Sequence, residues 1–340
     1  MQEKKRIFYR AEEAFKQKKR LIAPLMGFPG VELIGTNIKL AQQNYGLHYK
    51  AIKALADTFT PDIIFTLMDL SVEANALGMY TLFPREEPAA VPKNKFDVEE
   101  IKELRKINIS FDTRVNGYIE TVKLMNIGLP DENLKGAYVT GPYTLASLIM
   151  GALEAIKATK WEPNSLHKLC DLTTEKIQEY INLLISAGVE IICILEPSAS
   201  MLGPKQFREF SISYIKHIIK SCKYSEIDIL YHGCGNVMHV VEEIATSGVN
   251  GMSLDSKEAG IDLLEVAKKV PENVVIMGNV NPTKTMLYGT TEDVQKEVTE
   301  IMDLMKGYPN FILSTGCDLP QETPEENIEI FMRTAREYNF

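Results

Sequence analysis

Tyr231-His232-Gly233-Cys234-Gly235-Asn236 closes the apolar run that begins at Ile227. On a strand, residues two apart point to one face. An imidazole (His232) and a thiol (Cys234) therefore project together where the strand stops. Gly235 then turns the chain into a helix predicted over 237–247. This is half of a metal site.

A third ligand follows from the other strand ends. Polar and ligating residues concentrate there: Asp69, Gly141-Pro142, Glu196, Asp255, Asn279 and Cys317. The strand bodies before them are apolar. His232, Cys234 and Cys317 make a His-Cys-Cys set suited to Zn2+, and three protein ligands with one open position is the catalytic pattern. No CxxC occurs, as a closed structural site often has. The same residues also read as a hydrogen-bonded histidine with packed cysteines. Cys193 lies inside a strand and reads as core, and Cys170 and Cys222 fall in helices. Asp255 is either a fourth, displaceable ligand or a helix cap. Glu196, Asp255 and Asn279 are the candidate substrate contacts.

Those ends belong to a repeating pattern. Short unalternating apolar runs occur at 21–27, 63–69, 136–142, 190–195, 227–231, 250–255, 273–279 and 311–317. Helical stretches follow most of them, including 35–58, 165–187, 204–220 and 293–305. Parallel strands covered on both faces look like this. Eight βα units predict a (β/α)8 TIM barrel, whose chemistry sits at the C-terminal ends of its strands. An N-terminal helix (about 1–20) and insertions account for the remaining length, with 1–340 read as a single barrel domain. A doubly wound sheet would carry a glycine-rich phosphate loop after its first strand, and Gly27-Phe28-Pro29-Gly30 is not one. The stretch 80–96, with three prolines, reads as a surface excursion.

Composition bounds the partners. The 340 residues carry a net charge of −9 and are 45% hydrophobic and 24% charged, as in a soluble globular protein. With no sustained basic block, nucleic acid is not expected. No run approaches the roughly 20 apolar residues a membrane span needs. The charged start is unlike a secretion signal, and five scattered cysteines do not form a disulfide framework, so a cytoplasmic protein is expected.

Two thiolates leave a zinc ion a weak activator of water but a good holder of an incoming thiol. His232-Gly233-Cys234-Gly235-Asn236, Met277-Gly278-Asn279-Val280-Asn281-Pro282 and Ser314-Thr315-Gly316-Cys317, with Thr323-Pro324-Glu325-Glu326-Asn327, resemble the methylcobamide:coenzyme M methyltransferases. These belong to the uroporphyrinogen decarboxylase superfamily of (β/α)8 barrels. The resemblance is firm from about residue 185 onward. Earlier, Gly141-Pro142-Tyr143-Thr144 and the run 71–78 are similar to family landmarks. It implies that His232, Cys234 and Cys317 bind the zinc that activates an acceptor thiol. It also implies methyl transfer from a methylated corrinoid on a separate protein, since the D-x-H-x-x-G corrinoid signature is absent here. Tetrahydrofolate is the alternative acceptor. A metal-free decarboxylase using Asp69 and Asp255 is the alternative chemistry. Against it, the first strand ends without the arginines that the decarboxylases of the superfamily carry.

Overall fold

The computed structural model describes residues 7–92 and 96–339. Seven parallel strands run in sequence order: β1 (Ile63–Phe65), β2 (Leu134–Thr140), β3 (Ile191–Leu195), β4 (Asp228–Gly233), β5 (Gly251–Leu254), β6 (Val275–Val280) and β7 (Phe311–Thr315). Each predicted run from the second to the eighth becomes one of them, with ends shifted by a few residues.

The first predicted strand closes the ring without becoming a regular strand. Ala23 N donates to Leu313 O (2.9 Å), Leu313 N to Leu21 O (3.1 Å) and, on the other side, Asp62 N to Ile22 O (2.9 Å). Ile22 and Leu313 form a parallel bridge. Pro24 has no N–H to continue the ladder, so only the bridge is regular. The segment is thus the eighth stave, joining β7 to β1. The expected (β/α)8 barrel is what forms.

Residue parity sorts the strand side chains. Ile63 and Phe65, Leu134 and Tyr138, Ile191, Cys193 and Leu195, Leu230, Val275 and Met277, and Ile312 pack with one another inside the barrel. Their alternating neighbours, such as Ile64, Val139, Ile192, Ile194, Ile229 and Ile276, face the surrounding helices. The N-terminal helix Ile7–Lys16 lays Ile7 and Ala11 against the inner cluster, and Ile7 N donates to Asp228 Oδ2 at 2.7 Å. It closes the N-terminal end of the barrel and leaves the other end for chemistry. The predicted start of this helix, residues 1–6, lies outside the described residues, as do 93–95 of the excursion.

Two predicted helices differ. The one over 35–58 is two, Ile38–Gln43 and Tyr45–Phe59, divided at Asn44, whose side chain accepts Leu47 N as an N-cap. The one over 237–247 is shorter, Val241–Ala245. Among the described residues, no helix is long and apolar enough to cross a membrane.

Candidate metal centre

Inward parity continues beyond the apolar layers. After Leu230 the next inward position of β4 is His232; after Met277 on β6 it is Asn279; after Ile312 on β7 it is Ser314. Of the polar residues that sequence placed at strand ends, His232 and Asn279 therefore lie in the top layer of the barrel interior, whereas Glu196, directly after inward-facing Leu195, falls on the helix side.

His232, Cys234 and Cys317 converge there. One ligand atom from each lies within 4.8 Å of the other two. His232 is buried and the two cysteines are partly exposed. Cys317 Sγ is 3.6 Å from His232 Nε2. The other ring nitrogen, Nδ1, lies 3.0 Å from Ser253 Oγ. His232 and Ser253 are register partners across β4 and β5, so the two side chains share a face. With the proton assigned to Nδ1, Ser253 accepts it and the Nε2 lone pair faces the thiols. The Cys317 thiol first, and then the His232 imidazole, hold Cys234 well below the ordinary thiol range, at about 5. Cys317 is pushed the other way by its contact with Cys234 and by burial. One thiolate, a second thiol beside it and an oriented imidazole are a soft donor set that fits zinc.

Two glycines place the sulfurs. Gly235 has φ +80°, a conformation that lets the chain turn directly after Cys234. Its N–H then donates to Asp255 Oδ2 at 2.7 Å. At Gly316 a Cβ would lie 2.6 Å from Ser256 N and 3.0 Å from the Asp255 carbonyl carbon. Only glycine brings β7 close enough to the end of β5 to deliver Cys317.

The three candidate substrate contacts fall in different places. Asp255 accepts Gly235 N with one oxygen and Ser256 N (2.6 Å) with the other. It braces the turn after Cys234 and is not among the converging ligand atoms. Asn279 donates to Asp255 O at 2.8 Å and is buried. It supports the same turn. Glu196 is fully buried, accepting Tyr143 N (3.0 Å), Thr144 N (2.8 Å) and Ser211 Oγ (3.1 Å). Its carboxylate sits at the N-terminus of the helix Pro142–Met150, where helix dipole and free N–H groups favour an anion. Burial nonetheless lifts its carboxyl to about 7. Glu196 is thus turned to the helix layer outside the barrel as a helix cap, with both oxygens occupied.

Asp69 is held as tightly. It accepts Gln42 Nε2 (2.9 Å), Ser71 N (2.8 Å), Ser71 Oγ (2.6 Å), Tyr118 OH (2.9 Å) and Arg114 Nη2. As an anchored, ion-paired carboxylate it is poorly suited to act as a free base. Three other histidines are bonded elsewhere: His48 is buried and accepts Leu67 N (2.8 Å), His167 Nδ1 lies 2.7 Å from Tyr214 OH, and His239 Nε2 contacts Leu202 O (2.9 Å).

Sequence reasoning passed over Ser253 and Asp318. Ser253 had a signal, a polar residue in the apolar run Met252-Ser253-Leu254, but its partner depends on register. Asp318, next to Cys317, has its carboxyl lifted to about 7 by burial.

Comparisons agree with this architecture. The family described as uroporphyrinogen decarboxylase (URO-D) matches residues 32–338. A methylcobamide:CoM methyltransferase MtbA of Methanosarcina acetivorans is 24% identical over 264 residues, 75% of this chain and 73% of that protein. A uroporphyrinogen decarboxylase of Prochlorococcus marinus is 26% identical over 305 residues, 87% of this chain and 84% of its own. A solved methyltransferase from Methanosarcina mazei superposes with a TM-score of 0.84 at 21% identity, covering 98% of both chains.

Proposed function

The chain belongs to the uroporphyrinogen decarboxylase family, and within it we propose a corrinoid-dependent methyltransferase that passes a methyl group to a thiol. The observation that carries this reading is the convergence of His232, Cys234 and Cys317 at the open end of the barrel. Relatives named for methylcobamide:CoM methyl transfer support it.

His232, Cys234 and Cys317 would hold zinc, which supplies positive charge that keeps an incoming thiol deprotonated near neutral pH. The chain's own residues do the rest. Ser253 fixes the imidazole so that Nε2 points at the cluster. Asp255 and Asn279 hold the turn that aims Cys234, and the apolar layers beneath keep water from entering below. The acceptor sulfur's lone pair forms the new S–C bond while the methyl–cobalt bond breaks. The electron pair of that bond would leave with the donor corrinoid, which supplies the methyl group at the oxidation level of a cation. The corrinoid arrives on a separate protein at the barrel mouth. Restricting both reactants to one approach is the main catalytic contribution of such a site.

Purified protein is expected to hold about one zinc per chain, lost in Cys317→Ala. Incubation with methylcobalamin and a thiol is expected to produce the cobalt absorbance change of demethylation. Full zinc occupancy in a His232→Ala/Cys317→Ala double variant would sink the metal site.

The decarboxylase relatives favour a second reading, a metal-free decarboxylase. Turnover of a carboxylated tetrapyrrole after chelation would establish it. Tetrahydrofolate as acceptor is tested by replacing the thiol in the methylcobalamin assay.

A further inference from the structure

Beside the metal cluster lies a cleft of about 460 Å³. It spans the C-terminal ends of three neighbouring staves, with Phe28 after the closing segment, Met68 and Leu70 after β1, and Asp318 and Gln321 after β7. It opens on the same face as Cys317 and adjoins it through the Cys317–Asp318 peptide bond.

Two buried acceptors in it lack a donor. Gly27 N donates to Asp318 Oδ1 at 3.1 Å, which fixes the carboxyl and leaves Oδ2 buried without a partner among the described residues. Gln321 is more than nine-tenths buried, and its Nε2 donates to Glu32 Oε2 at 2.8 Å. Glu32 can only accept, so the amide orientation is decided and Gln321 Oε1 is left, likewise unpartnered. Buried acceptors normally find donors, and an unsatisfied pair in a cleft marks where a ligand supplies them. The rim adds Glu86, Glu87 and Glu322, while no basic residue lines the cleft among the described residues. Arg85 pairs with Glu86 (2.9 Å) and offsets one of these charges. The surroundings repel an anion and attract an N–H-bearing cation. Tyr138 ties the cleft to the metal cluster. Its phenol is pushed up mainly by burial, with Asp318 of the cleft and Cys317 of the cluster both near it.

Resting on the thiol-methylation reading, we propose that the acceptor's tail occupies this cleft and carries an ammonium or similar N–H-rich group, received by Asp318 and Gln321. A short apolar linker would lie along Phe28, Met68 and Leu70. A sulfonate tail, as in coenzyme M, meets the wrong charge here.

The test is calorimetric binding to the zinc-loaded protein of matched thiols: cysteamine, 3-aminopropanethiol, 2-mercaptoethanol and 2-mercaptoethanesulfonate. An aminothiol is expected to bind at least about tenfold more tightly than the sulfonate. Asp318→Asn is expected to reduce that ratio by about tenfold, and Gln321→Leu to reduce it less, both at unchanged zinc content. Zinc content and circular dichroism of each variant show that the site and fold are intact. Tighter binding of the sulfonate, or a ratio unmoved in both variants, overturns the tail assignment while leaving thiol methylation standing. Binding of no thiol by the zinc-loaded protein removes both.

Discussion

His232 and Ser253 stand side by side in the register of β4 and β5, with Nδ1 3.0 Å from Oγ. That one pairing decides which imidazole nitrogen faces the two thiols. Metal-binding histidines commonly need such a partner on the other nitrogen, and removing it weakens metal binding by about 10–100-fold. Ser253→Ala is therefore expected to lower zinc affinity by that factor with little change in fold. Competition with a chromophoric chelator measures it. Unchanged affinity would mean that the orientation comes from packing instead.

Gly316 permits the approach that delivers Cys317. A methyl group there meets backbone atoms of Asp255 and Ser256, which cannot swing aside as a side-chain end can. Gly316→Ala is expected to destabilise the protein by about 1–3 kcal/mol and to weaken zinc binding. Chemical denaturation and metal titration read the two effects separately. A variant with native stability and native zinc affinity would contradict the packing argument.

Asp69 and Arg114 are a buried pair whose loss leaves a charge without its counterion. Asp69→Ala is expected to cost about 3–5 kcal/mol while leaving zinc content unchanged in the folded fraction. If Asp69 instead served as a catalytic base, the variant would keep its melting temperature and lose only turnover. Thermal unfolding with metal analysis distinguishes the two.

Glu73 carries a pH dependence of definite sign. It is buried, accepts Thr140 N at 2.7 Å and Thr140 Oγ1 at 2.9 Å, and burial raises its carboxyl from 4.5 to about 7. The folded state therefore holds this proton more tightly than the unfolded chain. Its contribution is fully present below about pH 4.5 and is lost as pH rises towards 7, an effect of order 3 kcal/mol. Glu73→Gln retains an acceptor for Thr140 N and removes the titration. Between pH 4.5 and 8 its stability is expected to fall less steeply than that of the natural protein. Identical slopes in denaturant titrations would refute this.

The spacing of His232 and Cys234, the eight apolar runs and their polar ends were all legible in the chain because each is local. Strand parity puts residues two apart on one face, and parallel strands buried on both sides must be apolar throughout. Pro24 was also visible, although its consequence, a stave joined by a bridge alone, depends on where β7 lies. Asn44, which divides a predicted helix, competes through its own N-cap, and periodicity does not weigh that.

Other roles depended on contacts between distant segments. Glu196 looks the same in sequence whether it faces a substrate or caps a helix; in the structure it accepts Tyr143 N and Thr144 N at the start of the helix Pro142–Met150. Asp255 was open between a displaceable ligand and a helix cap; in the structure its two oxygens accept Gly235 N and Ser256 N and brace the turn after Cys234. Ser253 acquired a partner only through register, and Asp318 an unpaired oxygen only through the closure of the barrel. By itself the sequence determined the candidate ligand types, the strand end where two of them lie (His232 on β4 and Cys234 just past it) and the repeat that builds a barrel, since these follow from chemistry and local periodicity. Only the tertiary structure decided which nitrogen faces the thiols, which carboxylates are already bonded and which acceptors still lack a donor. Hydrogen-bond satisfaction depends on every neighbour in space, and the linear chain does not specify them.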